Sequence, residues 1–173
     1  MTTNDVPSRV LVTRAAADLL ATLQGRHGAL MFHQSGGCCD GSSPMCYPDG
    51  DFIVGDRDIL LGLLDVTVDK QPDGVPVWIS GPQFDAWKHT QLVIDLVPGR
   101  GGGFSLEAPE GMRFLSRGRA FTEEENQQLS RVAPVTGSTY ADGARPPGPR
   151  GEVVAEAADA CPVPAGRAAQ IPG

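Results

Sequence analysis

The sequence predicts an α+β domain: a mostly antiparallel β core of short strands, an N-terminal amphipathic helix, a short middle helix and a disordered C-terminal tail. Three observations carry this. Only one long segment, near the N-terminus, has a helical apolar period. Many short apolar runs follow it, separated by Gly and Pro turn signals. Beyond Val132 large apolar residues become scarce, and Pro, Gly and Ala dominate.

Taken in order, Val10, Leu11 and Val12 read as a short strand, and Thr13 is placed to cap a helix running to Gln24. Ala16, Leu19, Leu20 and Leu23 share one face of that helix, and Gly25 reads as its end. Residues 29–33 (ALMFH) form the next predicted strand. Further strands are expected at 52–54, 59–61, 64–69 and 76–80. A short helix over 81–89 places Phe84 and Trp87 on one side. Strands at 90–97, 104–107 and 112–115 come next, and Thr122 with Glu125 forms a capping box for a last helix ending near Leu129. Runs of strands flanked by a few helices are the pattern of an α+β fold.

Within the 173 residues this gives a flexible N-terminus at 1–9, one β-rich domain at 10–130 and a tail at 131–173. Stretches such as ARPPGPRG at 144–151 offer too little apolar surface to offset chain entropy. The tail's Arg and acidic residues cancel, so the formal net charge of −7 belongs to the folded part. That field repels phosphate backbones and anionic headgroups, which argues against nucleic acid and membrane surfaces as partners. No apolar run reaches the roughly 20 residues of a bilayer span, and the first residues lack a basic and apolar leader pattern. A cytoplasmic location is the expectation.

Three of the four cysteines fall in SGGCCDGSSPMC at 35–46, a Gly/Ser/Pro-rich stretch whose composition argues against a regular helix or central strand. In a reducing compartment such a cluster points to a metal or to thiol chemistry before a permanent disulfide. Gly36, Gly37 and Gly41 let the backbone approach a ligand closely, and Pro44 and Pro48 stiffen the return. Cys38, Cys39 and Cys46 supply soft thiolates suited to zinc or iron or to a small iron-sulfur cluster, and His33 and Asp40 offer harder donors. The same residues also admit a redox or nucleophilic thiol, or a purely structural role. Cys161, between Ala160 and Pro162, stands apart in the tail.

Other features read as scaffold. His27 is a turn residue and His89 a surface or helix-end residue. The GRGGG run at 99–103 has no P-loop Lys and Ser/Thr after it and reads as a hairpin connection, so no nucleotide cofactor is expected. Asp49, Asp51, Asp56 and Asp58 lack the ligand ladder of a calcium loop and read as solvated turn charge. Trp78, Phe84 and Trp87 read as core or interface aromatics.

VLVT at 10–13, the helix after it, the strand to His33, GGCCDG at 36–41, TQLVID at 90–95 and GFSL at 103–106 together resemble the HesB-like A-type iron-sulfur carriers. The resemblance implies a HesB-like β-rich domain at 10–130 with Cys38 at the place of that family's loop ligand. The Cys-Gly-Cys segment of those carriers has no counterpart here, where the chain reads APEGMRF at 108–114. The core, including FHQSGGCCDGSSPMC at 32–46, is more similar to a bacterial family of unknown function, DUF779, whose members are often encoded beside aldehyde dehydrogenases. This implies an accessory role in aldehyde or alcohol oxidation, with an aldehyde dehydrogenase as partner. Self-association into a homo-oligomer stays open. The chain itself has no Gly-rich strand-to-helix dinucleotide turn, so a self-sufficient dehydrogenase is not expected.

Three expectations follow. The first is an accessory protein that holds a metal or cluster through Cys38, Cys39 and Cys46 with His33 nearby. The second is a thiol-based redox or aldehyde-reactive enzyme, and the third is a metal-free module that docks on an aldehyde dehydrogenase.

Overall fold

The computed structural model describes residues 6–34, 44–99, 105–146, 150–155 and, for the backbone alone, 161–162. Strand β1 (Val10–Thr13) leads directly into helix α1 (Arg14–His27). Thr13 accepts a hydrogen bond from the Ala16 amide through its hydroxyl, as its sequence position predicts. The helix runs past Gly25 and stops at Gly28, whose φ of 83° suits a residue without a Cβ. Strands β2 (Leu30–Gln34), β3 (Pro44–Pro48), β4 (Ile59–Leu64) and β5 (Val75–Ile79) follow. After helix α2 (Gly81–Trp87) come the two long strands β6 (Thr90–Pro98) and β7 (Met112–Ala120), with a 3-10 turn at Ala108–Glu110 before the second. Helix α3 (Glu123–Ser130) starts at the expected capping box of Thr122 and Glu125. Strand β8 (Val135–Thr136), helix α4 (Gly137–Ala141), β9 (Val153–Val154) and β10 (Cys161–Pro162) complete the order.

The strands form two mixed sheets in an α+β arrangement. Sheet 1 has the order β10-β7-β6-β1-β9, and sheet 2 the order β3-β2-β5-β4-β8. Antiparallel pairs dominate, but β1 lies parallel to both β6 and β9, and β2 lies parallel to β5. One core joins both sheets: Val10, Val12, Leu92, Ile94 and Phe114 from sheet 1 share it with Leu30, Phe32, Leu61, Val77 and Ile79 from sheet 2. Phe32 and Phe114 meet edge to face across the sheets with ring centroids 4.9 Å apart, a geometry worth about 1 kcal/mol beyond burial. Helix α1 adds Ala16, Ala17, Leu20 and Leu23 to this core.

The end of α1 is fastened by amide side chains. Gln71 imitates a neighbouring strand, accepting from the Leu30 amide at 3.0 Å and donating to the Leu30 carbonyl at 2.6 Å. Gln24 in turn donates to Gln71 Oε1 and to the Val66 carbonyl.

Several sequence expectations need correction. The stretch 44–48, expected as loop, is an edge strand whose Pro44 and Pro48 sit at its two ends, where a missing donor is tolerated. Residues 52–54 and 105–107 are bends, turns or irregular backbone, and the run expected at 59–61 extends as the single bulged strand β4 to Leu64, whereas 65–69, expected as strand, lie beyond it. Within the region expected as a disordered tail, the described residues hold β8, which joins sheet 2, helix α4, and β9 and β10, which join sheet 1. Composition misled because these elements bury little surface of their own and are fixed by backbone contact. A Cβ at Gly151 would lie 2.2 Å from the Val10 carbonyl oxygen, and one at Gly137 would lie 2.1 Å from that of Gly55. Among the described residues, no helix is long and apolar enough to cross a membrane.

Candidate functional site

Alternation along β2 assigns its residues to two environments. Leu30, Phe32 and Gln34 face the shared core, whereas Met31 and His33 fall on the outer face of sheet 2. That outer face is covered as well. Met31, Leu60, Trp78 and Val135 form a second apolar cluster, closed by Tyr47, Phe52, Val54 and Tyr140. The cover comes from the turn after β3 and from β8 and α4.

His33 lies in this layer with only 7% of its surface exposed. Its Nε2 is 3.1 Å from Asp58 Oδ2, which also accepts the Gly55 amide at 2.9 Å. A carboxylate only accepts, so Nε2 carries a proton, and in the neutral tautomer that this bond selects Nδ1 keeps its lone pair. Nδ1 is buried and has no hydrogen-bond partner among the described residues. The Phe52 ring covers the imidazole at 4.5 Å between centroids, and Tyr47 stacks on Phe52 at 5.0 Å. Burial pushes the Tyr47 hydroxyl above its usual pKa.

Asp58 is held from behind. Its carbonyl accepts the Gly137 amide at 2.9 Å, and the Asp56 carbonyl accepts the Ser138 amide at 3.3 Å. The first turn of α4 therefore braces the 55–58 turn, and the close approach of Gly137 to Gly55 leaves no room for a side chain. A buried imidazole oriented by a carboxylate, with its second nitrogen unpaired, is the arrangement of a metal-ligating or proton-accepting histidine.

Cys46 is placed differently. It pairs with Phe32 in the ladder, one residue out of phase with His33, and is a free, fully buried thiol of the shared core. Its amide donates to Ser105 Oγ at 2.9 Å and its carbonyl accepts the Leu106 amide at 3.0 Å. Ser105 donates to the buried Glu107, which also accepts the Phe114 amide. Burial first, and the nearby Glu107 charge second, push the thiol well above its usual pKa. The expectation that Cys46 joins His33 in one ligand set is therefore corrected: strand parity sends the two side chains to opposite faces of sheet 2.

The other predicted residues, Gly36, Gly37, Cys38, Cys39 and Gly41, lie outside the described residues, as does Asp40. Among the described residues, no group of three or more His, Cys, Asp or Glu side chains is gathered as a metal requires. Sequence reasoning missed Asp58, taken for solvated turn charge, and the bracing role of Gly137. The spacing of Gly55 to Asp58 signals a local turn, but its contact with position 137 is invisible without the fold.

Residues 19–120 match the family described as a domain of unknown function, DUF779. The chain belongs to this family. The match spans β2, β3 and the 55–58 turn, and so includes both His33 and Asp58, while Gly137 lies beyond it. No curated protein and no solved structure matches the chain. The HesB-like likeness thus rests on the short sequence motifs alone.

Proposed function

We propose that this DUF779 protein is a metal-binding accessory protein in which His33 Nδ1 is one ligand and Cys38 and Cys39, five and six residues further along the chain, supply the others. The observation that carries the reading is the buried Nδ1, unpartnered among the described residues, of an imidazole whose Nε2–H is spent on Asp58. An unpaired buried acceptor costs about 1–3 kcal/mol, and an electrophile at that nitrogen would remove the penalty. Thiolate and imidazole donors suit zinc or iron, and iron would extend the set to a small cluster. A bound metal would supply Lewis acidity or electron transfer, while Asp58 would orient the ring and raise its basicity. Cys46 is not part of this set. The aldehyde or alcohol oxidation setting, with a dehydrogenase as partner, is supported by the resemblance of the core to family members encoded beside such enzymes.

Anaerobic purification followed by elemental analysis tests the reading. Wild-type protein and Cys46→Ala should carry metal, whereas Cys38→Ser, Cys39→Ser and His33→Ala should each lose most of it. Metal below about a tenth of an equivalent in wild-type protein with reduced thiols would remove the reading, since structural sites of this donor type bind far more tightly than that.

The same dyad favours one second reading, in which His33 is the base that activates a thiol at Cys38 or Cys39. Faster alkylation of either cysteine in metal-free wild type than in His33→Ala would support it.

A further inference from the structure

Independently of the His33 site, a groove of about 300 Å³ opens where the segment before β1 meets α2 and α3. Its cationic wall consists of Arg9 and Lys88 with His89 beside them, and among the described residues no Asp or Glu lines it. In a chain with 21 acidic and 14 basic residues, such a concentration of positive charge is selective. The opposite wall is apolar, built from Phe84, Leu129, Val132 and Pro134. We propose that this groove binds a small organic carboxylate, with the anionic head at Arg9 and Lys88 and the apolar body against Phe84 and Leu129.

Arg9 is preorganised for the task. Its Nη1 donates to the Lys88 carbonyl at 2.9 Å, and its Cζ sits 4.9 Å from the centre of the Phe84 ring. These two contacts fix the guanidinium while leaving its other donors uncommitted among the described residues, and burial disfavours the cation, lowering its pKa. Among the described residues neither Arg9 nor Lys88 has a carboxylate partner. His89 is oriented too. Its Nδ1 donates to Asn126 Oδ1 at 3.0 Å, because Asn126 spends its amide protons on the Phe121 carbonyl at 3.4 Å.

A planar carboxylate matches a guanidinium fork in two parallel hydrogen bonds. A phosphate dianion would want more donors than this half-apolar groove offers. A smaller recess of about 40 Å³ shares Arg9, Leu129, Val132 and Pro134 with the groove and continues toward Leu60 and Val135. Beyond Arg9 it is lined by Leu60, Leu61, Leu129 and Val135, which suits an aliphatic tail. The volume is at the small end of ligand pockets.

Titration calorimetry on the full chain tests this with three probes: hexanoate, the neutral hexanol, and inorganic phosphate. Hexanoate should bind saturably, hexanol should bind at least about tenfold more weakly, and phosphate should give no saturable heat. Arg9→Gln and Lys88→Gln should each weaken hexanoate about tenfold and leave hexanol unchanged. Lys88 is exposed, so its variant remains informative if Arg9→Gln fails to fold. Absence of saturable hexanoate binding, hexanol or phosphate binding as tight as hexanoate, or unchanged hexanoate affinity in folded Lys88→Gln would each overturn the proposal.

Discussion

The two faces of the β2-β3 hairpin carry adjacent residues into opposite chemistry. Inward, Phe32 and Cys46 pair across the ladder and enter a continuous hydrocarbon core, where the thiol is held protonated by burial and by the charge of Glu107. Outward, one residue along, His33 meets a carboxylate, an amide-braced turn and an aromatic lid. Both side chains are nearly inaccessible, so exposure does not distinguish them. What distinguishes them is the partner each finds: a polar atom aimed at the ring on one side, and packing on the other. A cysteine in a sequence cluster therefore need not belong to the cluster's chemistry, because register assigns it to a face before residue type can act.

The largest expected effect breaks the inner face alone. Phe114→Ala removes the ring that bridges the sheets to Phe32 and should cost about 3–5 kcal/mol of stability in urea unfolding. Metal per folded molecule should stay at the wild-type value, because Phe114 faces away from His33. A loss below about 1 kcal/mol would mean that the two sheets do not share one core.

The outer face is tested next through Asp58. In Asp58→Ala the imidazole loses its orienting acceptor, and metal affinity should fall by about 10–100-fold. Nitrogen spectra of the metal-free wild-type protein should show His33 protonated at Nε2 and bare at Nδ1, and the variant should lose that single tautomer. Unaltered metal affinity together with an unaltered tautomer would sever the dyad from any function.

How much of this contrast can be read in the chain follows from which contacts are local. Thr13 and the Thr122–Glu125 box announce helix starts because a cap is satisfied within three residues. The α+β class and the segment 90–97 are legible from apolar period and turns. The partnership of His33 with Asp58, 25 residues apart, and the bracing of Asp58 by Gly137 depend on tertiary register. No pattern in a single sequence encodes that register. The face of Cys46 was equally hidden, since the hairpin phase depends on how 35–43 closes. The elements described after 131 leave little trace in composition because β8 and β9 pair with neighbouring strands and carry little apolar content of their own.

A smaller effect sets the hairpin against β6 and β7 of sheet 1 and the start of α3, where ionised carboxylates meet arginines. Hydrogen bonds from Arg119 chiefly, and from Thr122, leave the Glu125 carboxyl pushed down to about 2 against burial. At Asp95 burial pushes upward, but Arg117, the Leu96 amide and Thr13 together outweigh it and lower the pKa. Both folded values lie below the unfolded ones. Their stabilisation is therefore complete above the ordinary carboxyl range and is lost as pH falls through the folded values, for Glu125 from about 4.5 toward 2. The Arg119 side chain is 39% exposed, so screening reduces the Glu125 share to about 1 kcal/mol. Unfolding titrations of Glu125→Gln should show an acid limb flattened by that amount.

The smallest expected effect is the most direct test of the contrast. Cys46→Ala removes one sulfur from a fully buried site while keeping the backbone bonds to Ser105 and Leu106. The transfer and cavity costs together should be about 1 kcal/mol. Metal content should not change, and in wild-type protein Cys46 should resist alkylation at neutral pH until denaturant is added, because the protonated, enclosed thiol offers no thiolate. If Cys46→Ala instead empties the protein of metal while its stability hardly moves, the thiol must reach the same centre as His33. The ladder pairing of Phe32 with Cys46 could not then hold in the metal-bound state, and the division of the hairpin into a chemical and a structural face would fail with it.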